Sequence, residues 1–183
     1  MTGQLVTLPH SGLRVPHTDL RVTAARTMTG TDGEILNATL RLRTAVVGYL
    51  INEGYGGPTT FQPTGTGFGW RDLQAFVDAC RNPAGEPVLE EHVLDLLVDE
   101  YRTTRAITAA TRRNQSLLRL CVLIDGLTFR VGEATAKPVT TQARLAKLRA
   151  ELTAAHTLHD GEWWQLWTGH RWQDLTDRPT IQP

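Results

Sequence analysis

The sequence predicts an α+β fold: antiparallel sheet built from hairpins, with about three helices packed on one side. Three observations predict it. Leu36, Ala38, Leu40 and Leu42 alternate with Asn37, Thr39, Arg41 and Arg43, the period of a strand with one buried and one wet face. Asp125-Gly126 between two apolar runs is the pattern of a two-residue type I′ hairpin. Strand-like stretches are also separated from helix-like stretches instead of alternating with them, which argues against a doubly wound sheet.

The elements follow in order. Residues 20–43 read as a hairpin, with Leu20, Val22 and Ala24 on one face of its first strand and the cluster at 29–33 (TGTDG) as its turn. Residues 46–51 (VVGYLI) form a third strand without clean alternation, as expected for a more buried one. Residues 52–57 turn the chain, and 59–62 pair back as a fourth strand. Residues 70–81 read as a helix, with Leu73, Phe76, Val77 and Cys80 on one stripe and Asn82-Pro83 as its stop. The longest helix covers 88–114, with Leu89, Val93, Leu96, Leu97, Tyr101, Thr104 and Thr108 on its inner stripe.

In the hairpin at 117–131 the Asp125-Gly126 turn places Ile124 opposite Leu127, Val122 opposite Phe129 and Leu120 opposite Val131 on one apolar face. Thr140 or Thr141 caps a helix that ends near residue 155, with Leu145, Leu148 and Leu152 inward. A last hairpin spans 162–175 around Thr168-Gly169, and a loose tail follows from 177. The organisation expected is an α+β domain over 1–155 with a Trp-rich hairpin and tail over 156–183, packed on the same domain.

The chain has 183 residues and a formal net charge of zero, with 19 basic and 19 acidic residues. That balance excludes a uniformly basic nucleic-acid coat and an acidic mimic of DNA. The charge is nevertheless split, net −7 over residues 50–100 and net +8 over 101–150. Acids at the start of the long helix and arginines at its end complement the helix dipole, which explains much of the split without a partner. All but Lys137 and Lys147 of the basic residues are arginine, a codon bias that suggests a GC-rich bacterial genome or its phage. Two cysteines, no apolar run near the roughly 20 residues that span a bilayer and no signal-peptide pattern point to a soluble protein of the reducing cytoplasm.

Four groups of residues are candidates for chemistry. Arg21, Arg41 and Arg43 share the wet face of the first hairpin. Arg102, Arg105, Arg112, Arg113 and Arg119 lie in the basic block, with Arg144, Lys147 and Arg149 on the next helix. Such arginines suit phosphates or acidic groups; the bland alternative is a solvated face paired with nearby acids. Trp163, Trp164, Trp167 and Trp172 fall within ten residues, to stack bases or anchor a partner, or to pack against the domain. One of the adjacent Trp163 and Trp164 is expected to face outward.

Gly65, Gly67 and Gly69 precede a helix, where backbone N–H groups can hold a phosphate, but the spacing fits neither the dinucleotide fingerprint nor a Walker loop. His156, His159 and Asp160, with His10 and His17 distant, have metal-ligand residue types without a set of three or four in view. Glu91, Asp95 and Asp99 form an acidic row that reads as solvated. Cys80 reads as buried and Cys121 as the more accessible thiol.

These features predict a binding protein without catalytic residues, metal or cofactor. It would use Arg41, Arg43, Arg105, Arg112, Arg113 and Arg119 with the C-terminal tryptophans to bind single-stranded nucleic acid or an acidic protein surface. Oligomerisation is compatible with this, and no membrane is involved. The alternatives are a small nucleotide-binding enzyme or sensor using the loop at 65–69, or a structural subunit of an assembly.

Overall fold

A computed structural model describes residues 4–30, 33–65, 67–155 and 157–179. Thr31 and Asp32 in the first hairpin turn, Thr66, His156 and residues 180–183 of the tail lie outside the described residues. The chain forms two compact units, which part between Arg102 and Thr103. Its helices and antiparallel sheets make it α+β, but the strands form separate sheets instead of one. Among the described residues no helix is long and apolar enough to cross a membrane.

The first unit opens with a small hairpin, β1 (Val6–Thr7) and β2 (Arg14–Val15), too short to show a period in the sequence. Its main sheet has the order β3 (Leu20–Thr29), β4 (Glu34–Leu42), β5 (Ala45–Glu53) and β6 (Thr60–Pro63). Leu20, Val22, Leu36, Ala38, Leu40, Leu50 and Phe61 are buried, and the register aligns those of neighbouring strands on one face.

Two bulges correct the simple alternation. One lies between Val22 and Ala24, so Ala24 pairs with Thr39 and is exposed instead of continuing the core stripe. The other skips Val47, so Leu40 faces Gly48 while Arg41 faces Val46. It is this bulge, and not burial on both faces, that breaks the alternation of β5, because Val46 and Tyr49 are each 37% exposed.

Helix α1 (Trp70–Ala79) buries Leu73, Phe76 and Val77, and Cys80 just beyond it is also buried. Asn82 closes the following loop, its side chain accepting the Glu86 N–H and donating to the Glu86 carboxylate, both at 2.9 Å. Helix α2 (Glu90–Arg112) buries Val93, Leu94, Leu96, Leu97 and Val98, a wider face than the predicted stripe. Leu89 is 58% exposed just before it, and Thr104 and Thr108 are exposed.

Two carboxylates of α2 are drawn into the unit. Asp95 accepts the Thr59 hydroxyl at 2.6 Å, which changes the reading of the acidic row as wholly solvated. Glu100 accepts the His10 N–H at 2.9 Å and the N–H and hydroxyl of Ser11, both at 2.8 Å. Burial pushes the Glu100 carboxyl above its ordinary value, its hydrogen bonds pull it back in part, and neighbouring Asp99 pushes it up further. A carboxyl raised in the folded state binds its proton more tightly there than in the unfolded chain. Its stabilising contribution is therefore full below the unfolded value of 4.5 and is lost as pH rises through the folded value. We expect the wild type to lose stability relative to Glu100→Gln as pH rises from about 4 to about 7. Urea titrations of both proteins across that range check it, and a gain with rising pH refutes it.

In the second unit α2 ends in a Schellman motif. Asn114 takes a left-handed φ of 51°, its N–H bonds the Thr111 carbonyl, and the Gln115 N–H bonds that of Ala110. Strands β7 (Ser116–Ile124) and β8 (Leu127–Ala136) follow. The turn between them has positive φ at both Asp125 (50°) and Gly126 (75°), as a type I′ turn requires. Ile124 faces Leu127 and Val122 faces Phe129 as predicted. The third predicted pair does not form: a register shift places Gly132 opposite Leu120, leaving Val131 52% exposed. Ile124, near the turn, is 39% exposed, so the six residues do not form one buried ladder.

Helix α3 (Gln142–Ala155) is capped by Thr141, whose hydroxyl accepts the Arg144 N–H at 3.2 Å. Strands β9 (Glu162–Trp167) and β10 (Trp172–Asp174) complete a sheet of order β10-β9-β7-β8. Leu145 and Leu148 of α3 pack with Leu118, Leu120, Trp164, Leu166 and Leu175. Burying each such leucine contributes about 1.5–3 kcal/mol relative to leaving it exposed.

Candidate functional site

The predicted arginines and tryptophans separate into structural and open groups. Arg119 is buried, 2% exposed. Its Nε donates to Gln165 Oε1 at 2.8 Å, and its guanidinium lies 3.8 Å from the centre of the Trp172 ring. Gln165 donates to Asp174 Oδ1 at 2.7 Å, and Trp163 Nε1 donates to the same oxygen at 3.1 Å. Trp167 and Trp172 pack on each other at 5.1 Å between ring centres.

Trp163 is fully buried and Trp164 is 4% exposed, so neither faces outward as predicted. Alternation along β9 sends the adjacent pair to opposite faces, and both faces are closed to solvent there. Cys121, on the Arg119 face, is fully buried as well, and its thiol lies 3.6 Å from Gln165 Oε1. It is therefore no more accessible than Cys80, whose thiol burial pushes up to about 12. The tryptophan cluster and Arg119 thus build the unit, and no free stacking platform remains at Trp163 and Trp164.

The remaining arginines divide into unpaired and paired ones. Arg105 and Arg112 on α2 and Arg113 just beyond it are exposed and have no ion pair among the described residues. Arg43 sits in the turn after β4 with φ 56° and pairs with Asp19 at 2.9 Å, and that hydrogen bond pulls the Asp19 carboxyl below its ordinary value. Arg102 pairs with Glu34, Arg144 and Lys147 each lie 3.8 Å from Glu151, and Arg149 donates to the Asp174 carbonyl at 3.2 Å.

An open constellation lies on the outer face of the β3–β6 sheet. Arg21 pairs directly with Arg41, and Arg26 with Asn37. Tyr49 pairs with Thr39 and Gln62, Ile51 with Asn37, and Glu53 with Ile35. Met28 is 69% exposed and Ile35 37%. A shallow concavity of about 400 Å³ lies on this hairpin, lined by Arg26, Met28, Ile35, Asn37 and Thr39 with Ala24 and Ala25. Sequence reasoning found Arg21 and Arg41 but missed Arg26. Unbroken alternation from Leu20 puts Arg26 on the core face, and the bulge after Val22 moves it outward. An arginine at a core-parity position in a half-buried strand is itself the signal that could have shown the bulge.

At the glycine loop the first backbone donor of the helix is occupied. The Gly69 N–H at the start of α1 is already taken by the Asp72 carboxylate at 2.8 Å, which places a negative charge where a phosphate would bind. A Cβ at Gly65, Gly67 or Gly69 would meet no atom within 4 Å, so close packing does not require glycine at these positions. His10 is buried and its N–H serves Glu100, His17 packs on Phe76 with ring centres 5.4 Å apart, and His159 and Asp160 are exposed. Among the described residues no group of three His, Cys, Asp or Glu is placed to hold a metal. In comparisons with known proteins the chain matches no family model, no curated protein and no solved structure.

Proposed function

We propose that this chain is a binding protein and that the outer face of its first sheet docks an acidic protein surface. The observation that carries the reading is the composition of that face. Arg21, Arg26 and Arg41 stand among Met28, Ile35, Tyr49 and Val46, with Glu53 as the acid beside them among the described residues. Arginine, methionine and aromatic residues are enriched at protein interfaces, where lysine and the acids are depleted. The positive charge selects an acidic partner. Single-stranded nucleic acid fits less well, because stacking along a strand needs several exposed rings and this face presents one, Tyr49. A reducing cytoplasm in a bacterial or phage setting suits the two free, buried cysteines and the arginine-rich composition.

The test is anisotropy of a labelled Glu/Asp-rich peptide carrying apolar residues, beside a labelled oligothymidine, each titrated with protein at two salt concentrations. The peptide is expected to bind, and Arg21→Glu with Arg41→Glu to weaken it by about tenfold or more. Binding of the oligonucleotide alone, weakening steeply with salt, overturns the reading in favour of nucleic acid. Binding of neither probe, or binding indifferent to the two reversals, removes this face as the docking surface.

A further inference from the structure

We infer that the second unit carries a separate groove for an uncharged ring compound bearing adjacent hydroxyl or amide groups, of the glycoside or nucleoside kind. The groove has a volume of about 440 Å³, within the range of small-molecule sites. It lies where the end of α2, the start of α3 and the β9–β10 turn come together. Ile107, Leu117, Leu145 and Leu166 give it apolar walls, and Trp167 lines it as the aromatic side chain.

Its polar lining, Thr140 apart, falls into two classes. The hydroxyls of Thr111, Ser116, Thr141 and Thr168 serve the fold, bonded to Ile107 O, Val139 N–H, Arg144 N–H and Arg171 O. The carboxamides of Asn114, Gln115, Gln142 and Gln173 also line the groove and have no hydrogen-bond partner among the described residues. Each carboxamide presents two donors and an acceptor side by side, the complement of a vicinal diol or an amide edge. Among the described residues no ionisable side chain lines the groove. A charged ligand would lose hydration there without gaining a counter-charge, so the lining selects neutral compounds. Trp167, half-buried in the groove wall and packed on Trp172, adds an aromatic group to the lining.

Asn114 makes the clean test. It occupies the left-handed position that ends α2, where glycine is favoured, so Asn114→Gly removes the carboxamide and keeps the helix stop. Ligand-observed NMR would be run on the full chain with maltose, N-acetylglucosamine, uridine and adenosine, and with glucuronate and UMP as charged counterparts. At least one uncharged probe is expected to bind with a Kd of about 1 mM or tighter, and its charged counterpart about tenfold more weakly. Asn114→Gly with Gln173→Ala is expected to weaken binding at least about tenfold with the melting temperature unchanged. The sugar and nucleoside arms separate the two ligand sources. If the double variant loses stability, Gln142→Ala at the exposed start of α3 replaces it, with the same loss of binding expected. Absence of binding by every uncharged probe at about 10 mM, equal binding of the charged counterparts, or full binding by the variants overturns the proposal.

Discussion

Gly48→Ala is expected to destabilise the protein by about 3 kcal/mol or more. Gly48 lies in β5 between Leu40 of β4 and Pro63 of β6. A Cβ built there falls 2.2 Å from Cε2 of Phe61 and 2.5 Å from the Gln62 carbonyl oxygen. Neither neighbour can give way cheaply. The Gln62 oxygen is backbone. Phe61 is 1% exposed and makes edge contacts with Phe68 and Trp70 at 6.0 and 5.3 Å between ring centres. Moving its ring therefore opens the aromatic cluster at the start of α1. The glycine is required by close approach and not by a special φ. Urea denaturation measures the loss, and a midpoint within error of the wild type shows that the strand relaxes around the methyl group. Gly67→Ala is the control: its Cβ meets no atom within 4 Å, and little change is expected.

Arg119→Ala is expected to cost about 3 kcal/mol, from the lost charge-assisted hydrogen bond to Gln165 and a cavity beside Trp172. Arg119→Met, which keeps most of the volume, should recover part of that loss because the stem packs even without the charge. Arg119→Lys should not recover it fully, since an ammonium has neither the planar fork that reaches Gln165 nor the flat face that lies over Trp172. The near-ultraviolet circular dichroism of the tryptophans reports the same disruption. Binding of the acidic peptide at the first sheet is expected to survive, because Arg119 and that face belong to different units. A protein as stable as wild type that has lost peptide binding would assign Arg119 to the functional surface after all.

The two substitutions also mark where sequence reading stops. Alternation in the first hairpin identified Arg21 and Arg41 as outward, and the register places them side by side. It assigned Ala24 inward and missed Arg26, because one extra residue in a strand reverses the parity of everything after it, and the bulge is marked only by an arginine at a core-parity position. The adjacent pair Trp163-Trp164 carried a usable signal. Alternation sends one ring to each face, so a pair of large apolar neighbours inside an apolar strand argues for burial on both sides. The mostly apolar β7, SLLRLCVLI, says the same, and it explains why Cys121 and Arg119 are enclosed.

What the sequence by itself determined is local: the type I′ turn at Asp125-Gly126, a cap at Thr140 or Thr141, the stop at Asn82-Pro83, and the strand and helix periods. Each depends on a few neighbouring residues whose backbone preferences or hydrogen bonds are satisfied on the spot. Only the tertiary structure decided the separation into distinct sheets, the places of the bulges and the gathering of four carboxamides around one groove. Those depend on which surfaces meet across long stretches of chain, where burial energy is summed over many residues and no short pattern encodes the partner.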